Sequence, residues 1–298
     1  MKSDIYNLTF ITPCFCAGAN QSVAEVRSPS IRGKLRWWFR VLGGTPDQEA
    51  EIFGATAGDS ARASAIIVRV ADALVQRQWQ PIEFSPMSHT GYVLYFAKKS
   101  ANGARWKVGG ALPQGAQFQL QLLWKGSAAA QTRELFDLAL DAFLMLGSFG
   151  LRSTRGLGCF ETAERPFTEA VFKKLLGRMQ VRAPRFIAGL GQFKGRQTGI
   201  IDGLGSQLRG LRAGYSAGPP GRSSPTPLGS SQPRQTSAVH LRPVKVGQED
   251  YRIVVFEAPA DKVLGLPSRR GAPRLGAGIP QPGEVPQRGG SGQRDYRR

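Results

Sequence analysis

Alternating apolar and polar positions mark the first element: "IYNLTFITP", residues 5–13, reads as a strand that stops at Pro13. The next apolar spacing is helical. In "SPSIRGKLRWWFRVLGG", residues 28–44, Ile31, Leu35, Trp38 and Leu42 gather in one sector of a helical wheel. The pattern predicts a helix that starts near Ser30, a plausible N-cap, and stops at Gly43-Gly44. "DQEAEIFG" predicts a short helix closing at Gly54, while "ASAIIVRVAD" and "GYVLYFAKK" read as strands. "AQFQLQLLWK" is a period-2 strand with Phe118, Leu120, Leu122 and Trp124 on one face. The strongest helical signal is "QTRELFDLALDAFLMLGSFG", where Leu135, Leu138, Ala139, Ala142 and Leu146 keep the helical spacing. It runs into "GSFGLRSTRGLGCFE", a glycine-punctuated loop leading to a strand. "RPFTEAVFKKLLGRM" predicts another short helix, and "AVHLRPVKV" and "YRIVVFEAP" a hairpin turning at "GQED". Strands and helices mix without strict alternation, which indicates an α+β fold.

Composition divides the rest of the chain. Residues 182–215 are glycine-rich and basic, and 216–237 are rich in Pro, Ser and Gly, which predicts a mobile loop. Beyond residue 267 almost nothing apolar remains, and a disordered basic tail is expected over 267–298. The 298 residues, 41% of them hydrophobic, suffice for one large domain or two of ordinary size.

The formal net charge of +19 changes the picture most. Such a charge opposes compaction unless a polyanion neutralises it, so nucleic acid is the first candidate partner. No stretch approaches the roughly 20 apolar residues of a membrane span, and the N-terminus has no run long enough for a signal-peptide core. A cytoplasmic protein without membrane association is expected. Three cysteines, Cys14, Cys16 and Cys159, do not suggest a disulfide framework. With His89 and His240 the only histidines, no metal site or other cofactor is expected.

The charge concentrates in two places. Arg32, Arg36 and Arg40 stand four apart on the flank of the first predicted helix, with Arg27 and Lys34 close by. Like charges at this spacing cost roughly 0.2–0.5 kcal/mol per pair. No acid lies between Glu25 and Asp47, so an external anion is the expected relief. Trp37 falls off the core sector and either packs against the next element or offers a stacking surface. A core helix with a solvated arginine face fits the same spacing. The second place is the loop holding Gly147, Gly150, Gly156 and Gly158, with Arg152 and Arg155 between them. Glycines let backbone N–H groups approach and cradle a phosphate, and Arg152, Ser153, Thr154 and Arg155 would add side-chain donors. A plain helix-to-strand turn remains equally compatible.

Together these segments carry a family resemblance. "FITPCFCAGAN…EVRSPSIRGKLRWWFRVLGG…EAEIFG" resembles the opening of the RAMP-superfamily proteins of CRISPR systems. Within them it is most like the first-numbered subunit family of the Cmr (type III-B) effector complex. "LGSFGLRSTRGLGCFE" is similar to the superfamily's glycine-rich loop, with Ser148 where a further glycine is usual. "AVHLRPVKVGQEDYRIVVFEAPADKVLG" is similar to the subunit family's closing segment. The resemblance covers 4–72, 134–161 and 236–265. It implies two ferredoxin-like (RRM-like) halves packed together: residues 1–165, including the glycine-rich loop, and a more divergent 166–266. It further implies assembly with other Cmr subunits around CRISPR RNA, near the guide 3′ end, where the subunit helps engage complementary target RNA. The RNA-binding residues expected on this basis are Arg27, Arg32, Lys34, Arg36, Trp37, Arg40, Gly150, Arg152, Ser153, Thr154, Arg155, Gly156 and Gly158.

No HExxH, metal-ligand cluster or nucleophile elbow is present in the sequence. A non-catalytic subunit is therefore expected. The alternative is a metal-independent guide-processing endoribonuclease of the same superfamily, using His89 or His240. A basic assembly protein that contacts acidic partners is a third reading.

Overall fold

Two antiparallel sheets, each backed by helices, account for the main elements of the computed structural model. It describes residues 2–20, 23–56, 61–71, 84–85, 87–97, 111–215, 228–231 and 234–259. Among these, the strands are β1 (Lys2–Phe10), β2 (Cys14–Phe15), β3 (Ile66–Ala71), β4 (Ala111–Leu112), β5 (Gln117–Trp124), β6 (Phe160–Thr162), β7 (Ile187–Gly195), β8 (Ser230–Ser231), β9 (Arg234–Gln235), β10 (Val239–Lys245) and β11 (Tyr251–Glu257). The helices are α1 (Ser28–Val41), α2 (Pro46–Phe53), α3 (His89–Leu94), α4 (Ala130–Leu146), α5 (Glu169–Arg182) and α6 (Ile200–Tyr215).

The first sheet has the order β3-β5-β1-β6 with every neighbour antiparallel. Phe118, Leu120, Leu122 and Trp124 point to one face of it, as their period-2 spacing requires, and α1 and α4 cover that face. The second sheet has the order β10-β11-β7, again antiparallel. Both faces of β10 and β11 are buried, whereas the edge strand β7 is only partly covered. Val244, Val254 and Phe256 join the core of the first sheet, α1 and α4. Val239, Leu241, Ile253 and Val255 face the other way, onto α3 and α6. Period 2 then puts His240 and Arg242 on the side toward α1.

Several expectations need correction. The basic helix begins at Ser28, not Ser30: Arg27 is its N-cap, Pro29 sits in its first turn, and the Ser28 hydroxyl accepts from Val70 N–H instead of capping. "GYVLYFAKK" is not a strand. Ser88 accepts from Gly91 N–H and starts α3, which continues as a 3₁₀ turn over Tyr95–Ala97. Val93, Leu94 and Ala97 are buried against α6, so tertiary packing decides a short apolar run whose periodicity is ambiguous. The basic, glycine-rich 182–215 stretch holds β7 and α6. Ile200, Leu204, Leu208 and Leu211 form the apolar stripe of α6, while a Cβ at Gly205 would overlap the His89 carbonyl. Glycine lowers helix propensity but lets α3 and α6 approach.

The predicted 267–298 tail and most of the 216–237 loop lie outside the described residues. Within that loop, β8 and β9 pair with each other. No described helix is long and apolar enough to cross a membrane.

Candidate nucleic-acid interface

The arginine stripe of α1 meets an acid within the protein, which the sequence reading had not placed there. Helix α2 opens with a capping box between Thr45 and Gln48. The box sets the first turn of α2 so that Glu49, 6% exposed, faces the stripe. Arg36 Nε donates to Glu49 Oε1 at 2.8 Å, Arg40 Nη2 donates to the same oxygen at 2.6 Å, and Arg40 Nε bonds Oε2. Arg32 donates to the Phe53 carbonyl. The relieving acid lies beyond the helix in sequence and opposite it in space. These arginines, with Arg62, line an open cleft of about 870 Å³ between α1 and α2. Arg27 is separate, 3.9 Å from Glu25.

Burial by itself would raise the Glu49 carboxyl, but hydrogen bonds from Arg40 and Arg36 outweigh it and hold it below its ordinary value of 4.5. Its contribution to stability is therefore complete above the unfolded-state value and lost as pH falls through the lower folded-state value. Glu49→Gln is expected to cost about 1–3 kcal/mol at neutral pH. The gap between variant and wild type should then narrow in acid. Urea unfolding at both pH values measures it, and a gap independent of pH would refute the ion-pair account.

The glycine loop joins α4 to β6 and is pinned from two sides, by the 12–15 segment and by β10. Leu151 N–H donates to the Phe15 carbonyl at 2.8 Å, and Gly158 N–H to Pro13 at 2.9 Å. Leu241 N–H of β10 donates to the Thr154 carbonyl at 3.0 Å. Thr12 Oγ1 donates to Gly156 O at 2.8 Å. Gly150, Gly156 and Gly158 have φ of 86°, 85° and 64°, and Arg152 joins them at 55°. A Cβ at Gly158 would overlap the Phe149 carbonyl. Ser148, the departure from the superfamily pattern, donates from Oγ to the Ser153 carbonyl at 3.1 Å and is itself buried. The N–H groups of Phe149, Leu151, Arg155, Gly156 and Gly158 bond the protein's own carbonyls. Those five N–H groups are therefore engaged by the fold itself, and the loop's side chains are the clearer donors for a phosphate.

Those side chains meet others beneath the loop. Arg242, 3% exposed, donates to the carbonyls of Leu146 at 2.5 Å, Ser153 at 2.5 Å and Leu241 at 2.8 Å. Its Nη2 lies 3.0 Å from His240 Nδ1. A guanidinium only donates, so Nδ1 accepts and Nε2 carries the imidazole proton. That buried Nε2 has no hydrogen-bond partner. Burial, then the charges of Arg242 and Lys34, push His240 well below its ordinary value and keep it neutral. Its ring stacks on Phe256 at 4.7 Å and lies 5.1 Å from Trp37. Trp37, partly buried, thus packs against β10 of the second sheet. Lys34 Nζ donates to Ser153 Oγ at 3.2 Å. Burial, then the charge of Arg242, bring its ammonium down to about 8.

The junction of Lys34, Ser153, His240 and Arg242 is rich in donors, and they meet backbone carbonyls, the Ser153 hydroxyl and His240 Nδ1. It suits an anion and repels a metal ion. Among the described residues no group of three or more His, Cys, Asp or Glu could hold a metal. Sequence reasoning included Lys34, Trp37 and Ser153 but missed Arg242. Its signal was available: two polar residues two apart in an apolar strand must share a face. His89 lies elsewhere, its Nδ1 3.4 Å from Asp202 of α6.

Comparison with known proteins bears on the family and the fold. The RAMP superfamily model matches residues 7–161, more than half of the chain. Over 145 residues the chain is 33% identical to the CRISPR system Cmr subunit Cmr1-1 of Pyrococcus furiosus, covering 45% of this chain but only 39% of that protein. It is 29% identical over 183 residues to Cmr1-2 of the same organism, covering 53% and 94%. The crystal structure of Cmr1 from Pyrococcus furiosus in its apo form superposes with a TM-score of 0.60 at 20% identity over 92% of both chains. A chain of the Type III-B Cmr-beta bound to cognate target RNA gives 0.52 at 9% identity, over 85% of this chain and 94% of that one. At these identities the structural likeness is one of fold. The mixed α/β architecture, the tryptophan-rich helix and the glycine loop lie within or beside the matched segment, and the chain belongs to the RAMP superfamily.

Proposed function

We propose that the chain is a non-catalytic RNA-binding subunit of a type III-B CRISPR (Cmr) ribonucleoprotein. In this reading it sits near the guide 3′ end and helps engage complementary target RNA in antiviral defence. The observation that carries the proposal is the donor-rich junction under the glycine loop, where Lys34, Ser153 and Arg242 come together with no carboxylate partner among the described residues. A phosphodiester would give the Lys34 ammonium further acceptor oxygens, while Arg242, its donors already taken by backbone carbonyls and His240, holds the junction in place; the net charge of +19 favours a long polyanion over a small one.

The β1, α1, β3, β5, α4, β6 order supports a ferredoxin-like reading of residues 1–165. Residues 166–266, with β7, α6, β10 and β11, read as the divergent second half. The relatives named above include Cmr subunits and a complex bound to target RNA, which supports Cmr partners and RNA for this chain too. The endoribonuclease alternative is disfavoured at His240 by its complete burial and neutral state.

The test is purification of the tagged chain from cells that also express its neighbouring genes. Guide RNAs sharing a repeat-derived segment, together with other Cmr subunits, are the expected product. Recovery of the chain without RNA and without such subunits would overturn the reading.

A further inference from the structure

A second cleft lies where the two sheets meet. It encloses about 560 Å³ between the β6 edge of the first sheet, the end of α4 and the last residues of β10. Strand register sets three polar residues in one row across the face of the first sheet that α1 and α4 leave open. Gln117 of β5 opposes Thr9 of β1, and Thr9 opposes Glu161 of β6. Opposed Cβ atoms on such a face stand about 5 Å apart, so the row spans about 10 Å. All three residues line the cleft. Across the seam Lys245 of β10 continues the row, its Nζ 3.5 Å from Glu161 Oε1. The two side chains are 37% and 33% exposed, so a ligand can reach the pair. The floor is apolar: Leu144 and Met145 of α4 and Val244 of β10 form it. Phe167, half-buried and braced by Phe172 at 5.4 Å between ring centroids, adds an aromatic ring to the lining.

An apolar floor with a few placed polar groups suits one small, flat, largely apolar ligand. The row decides which. An amide and a hydroxyl each donate and accept, whereas a carboxylate only accepts. Adenine and cytosine present an exocyclic amino group to such a row; uracil presents a carbonyl oxygen, which meets the Glu161 carboxylate unfavourably. An aromatic ring beside the floor gives a base a stacking surface. The cleft also shares a wall with the donor-rich junction. Leu144 and Met145 lead directly into Leu146, whose carbonyl Arg242 holds. Val244 follows Arg242 by two residues on the same face of β10. RNA held at the junction therefore brings its bases near the cleft. An apolar peptide side chain would fill the floor but leave Gln117, Thr9 and Glu161 without a counterpart.

We infer that this cleft takes one unstacked, amino-bearing nucleobase of the bound RNA, with its ring on Phe167 and its edge on Gln117, Thr9 and Glu161. This rests on the RNA-binding reading above and adds base selection to contacts that otherwise concern the RNA backbone.

The experiment titrates the full chain with fluorescent oligocytidylate, oligoadenylate and oligouridylate of equal length across a salt series. The wild type is expected to bind the first two roughly 5- to 100-fold more tightly than the third. Glu161→Gln is expected to remove most of that preference, because an amide can also donate to a uracil carbonyl. Deleting a negative charge does not weaken attraction to RNA, so a lost preference reports the base contact and not the field. Phe167→Leu, which keeps apolar bulk but removes the ring, is expected to weaken binding about fivefold or more at an unchanged salt slope. Gln121→Ala, on the same sheet face outside the cleft, is the control. A wild type without preference, a preference that survives Glu161→Gln, or Phe167→Leu binding like the control would overturn the base site. Weakened binding by Lys34→Met would then leave the RNA reading standing. If the wild type binds none of the oligomers, both fall. Cytidine monophosphate binding as tightly as the oligomer would make the ligand a free nucleotide and overturn the assignment to RNA. Loss of a copurifying subunit in Phe167→Leu, with RNA binding unchanged, would give the cleft to a protein partner instead.

Discussion

Replacing Arg242 with methionine is expected to lower the unfolding free energy by about 3–5 kcal/mol, the scale of removing one partner from a buried, charge-assisted network. The reason lies in what the guanidinium holds. It joins the end of α4 at Leu146, the glycine loop at Ser153 and its own strand at Leu241, all through backbone carbonyls. Methionine fills much of the volume but donates nothing. The carbonyls cannot be replaced by apolar groups as a partner side chain could, so the usual compensation for deleting a buried charge is missing. Arg242→Lys should recover little, because a point ammonium cannot reproduce the fork that reaches several acceptors at once. The shift of the urea midpoint at constant m-value measures the loss. A change below about 1 kcal/mol would mean that other donors satisfy these carbonyls, and that Arg242 does not organise the loop.

Lys34→Met is expected to weaken RNA binding about tenfold at neutral pH, the scale of one charge-assisted hydrogen bond. The wild type is also expected to lose that advantage as pH rises. Lys34 ionises at about 8 in the folded chain instead of 10.5, so above that pH its ammonium no longer attracts a phosphate. Stability moves the other way. Between about 8 and 10.5 the unfolded chain binds the proton more tightly than the folded one, so folding becomes more favourable with pH across that window. Lost affinity there is not lost structure. Titrating RNA against both proteins at neutral and alkaline pH decides the matter. Curves that stay parallel would show that Lys34 does not meet the RNA.

The difference between expectation and structure follows the range of the interactions involved. The strands β1 and β5 and the helices α1 and α4 were legible because each has one buried face, and one buried face leaves a period in the residues themselves. The fate of the arginine stripe was not. Glu49 lies 9 residues after Arg40 along the chain and reaches it only because α2 turns back along α1. Helix α3 resembled a strand because a few apolar residues in a row suit either period; α6 supplies the surface that chooses. Helix α6 itself was obscured by glycines that permit close packing, a use invisible to propensity.

The sequence by itself determined the α+β class, the apolar faces of the long elements, the excess of positive charge and the family. All of these are carried by local spacing or by residue count. Tertiary structure alone decided which cations remain available to a ligand. It set Glu49 against both Arg36 and Arg40, placed Lys34 beside Ser153 and Arg242, and brought Arg152 and Arg155 to Arg212. The physical reason is that charge acts through space and desolvation. Whether a guanidinium is satisfied or unsatisfied depends on what the fold places within a few ångströms of it, and no linear spacing records that distance.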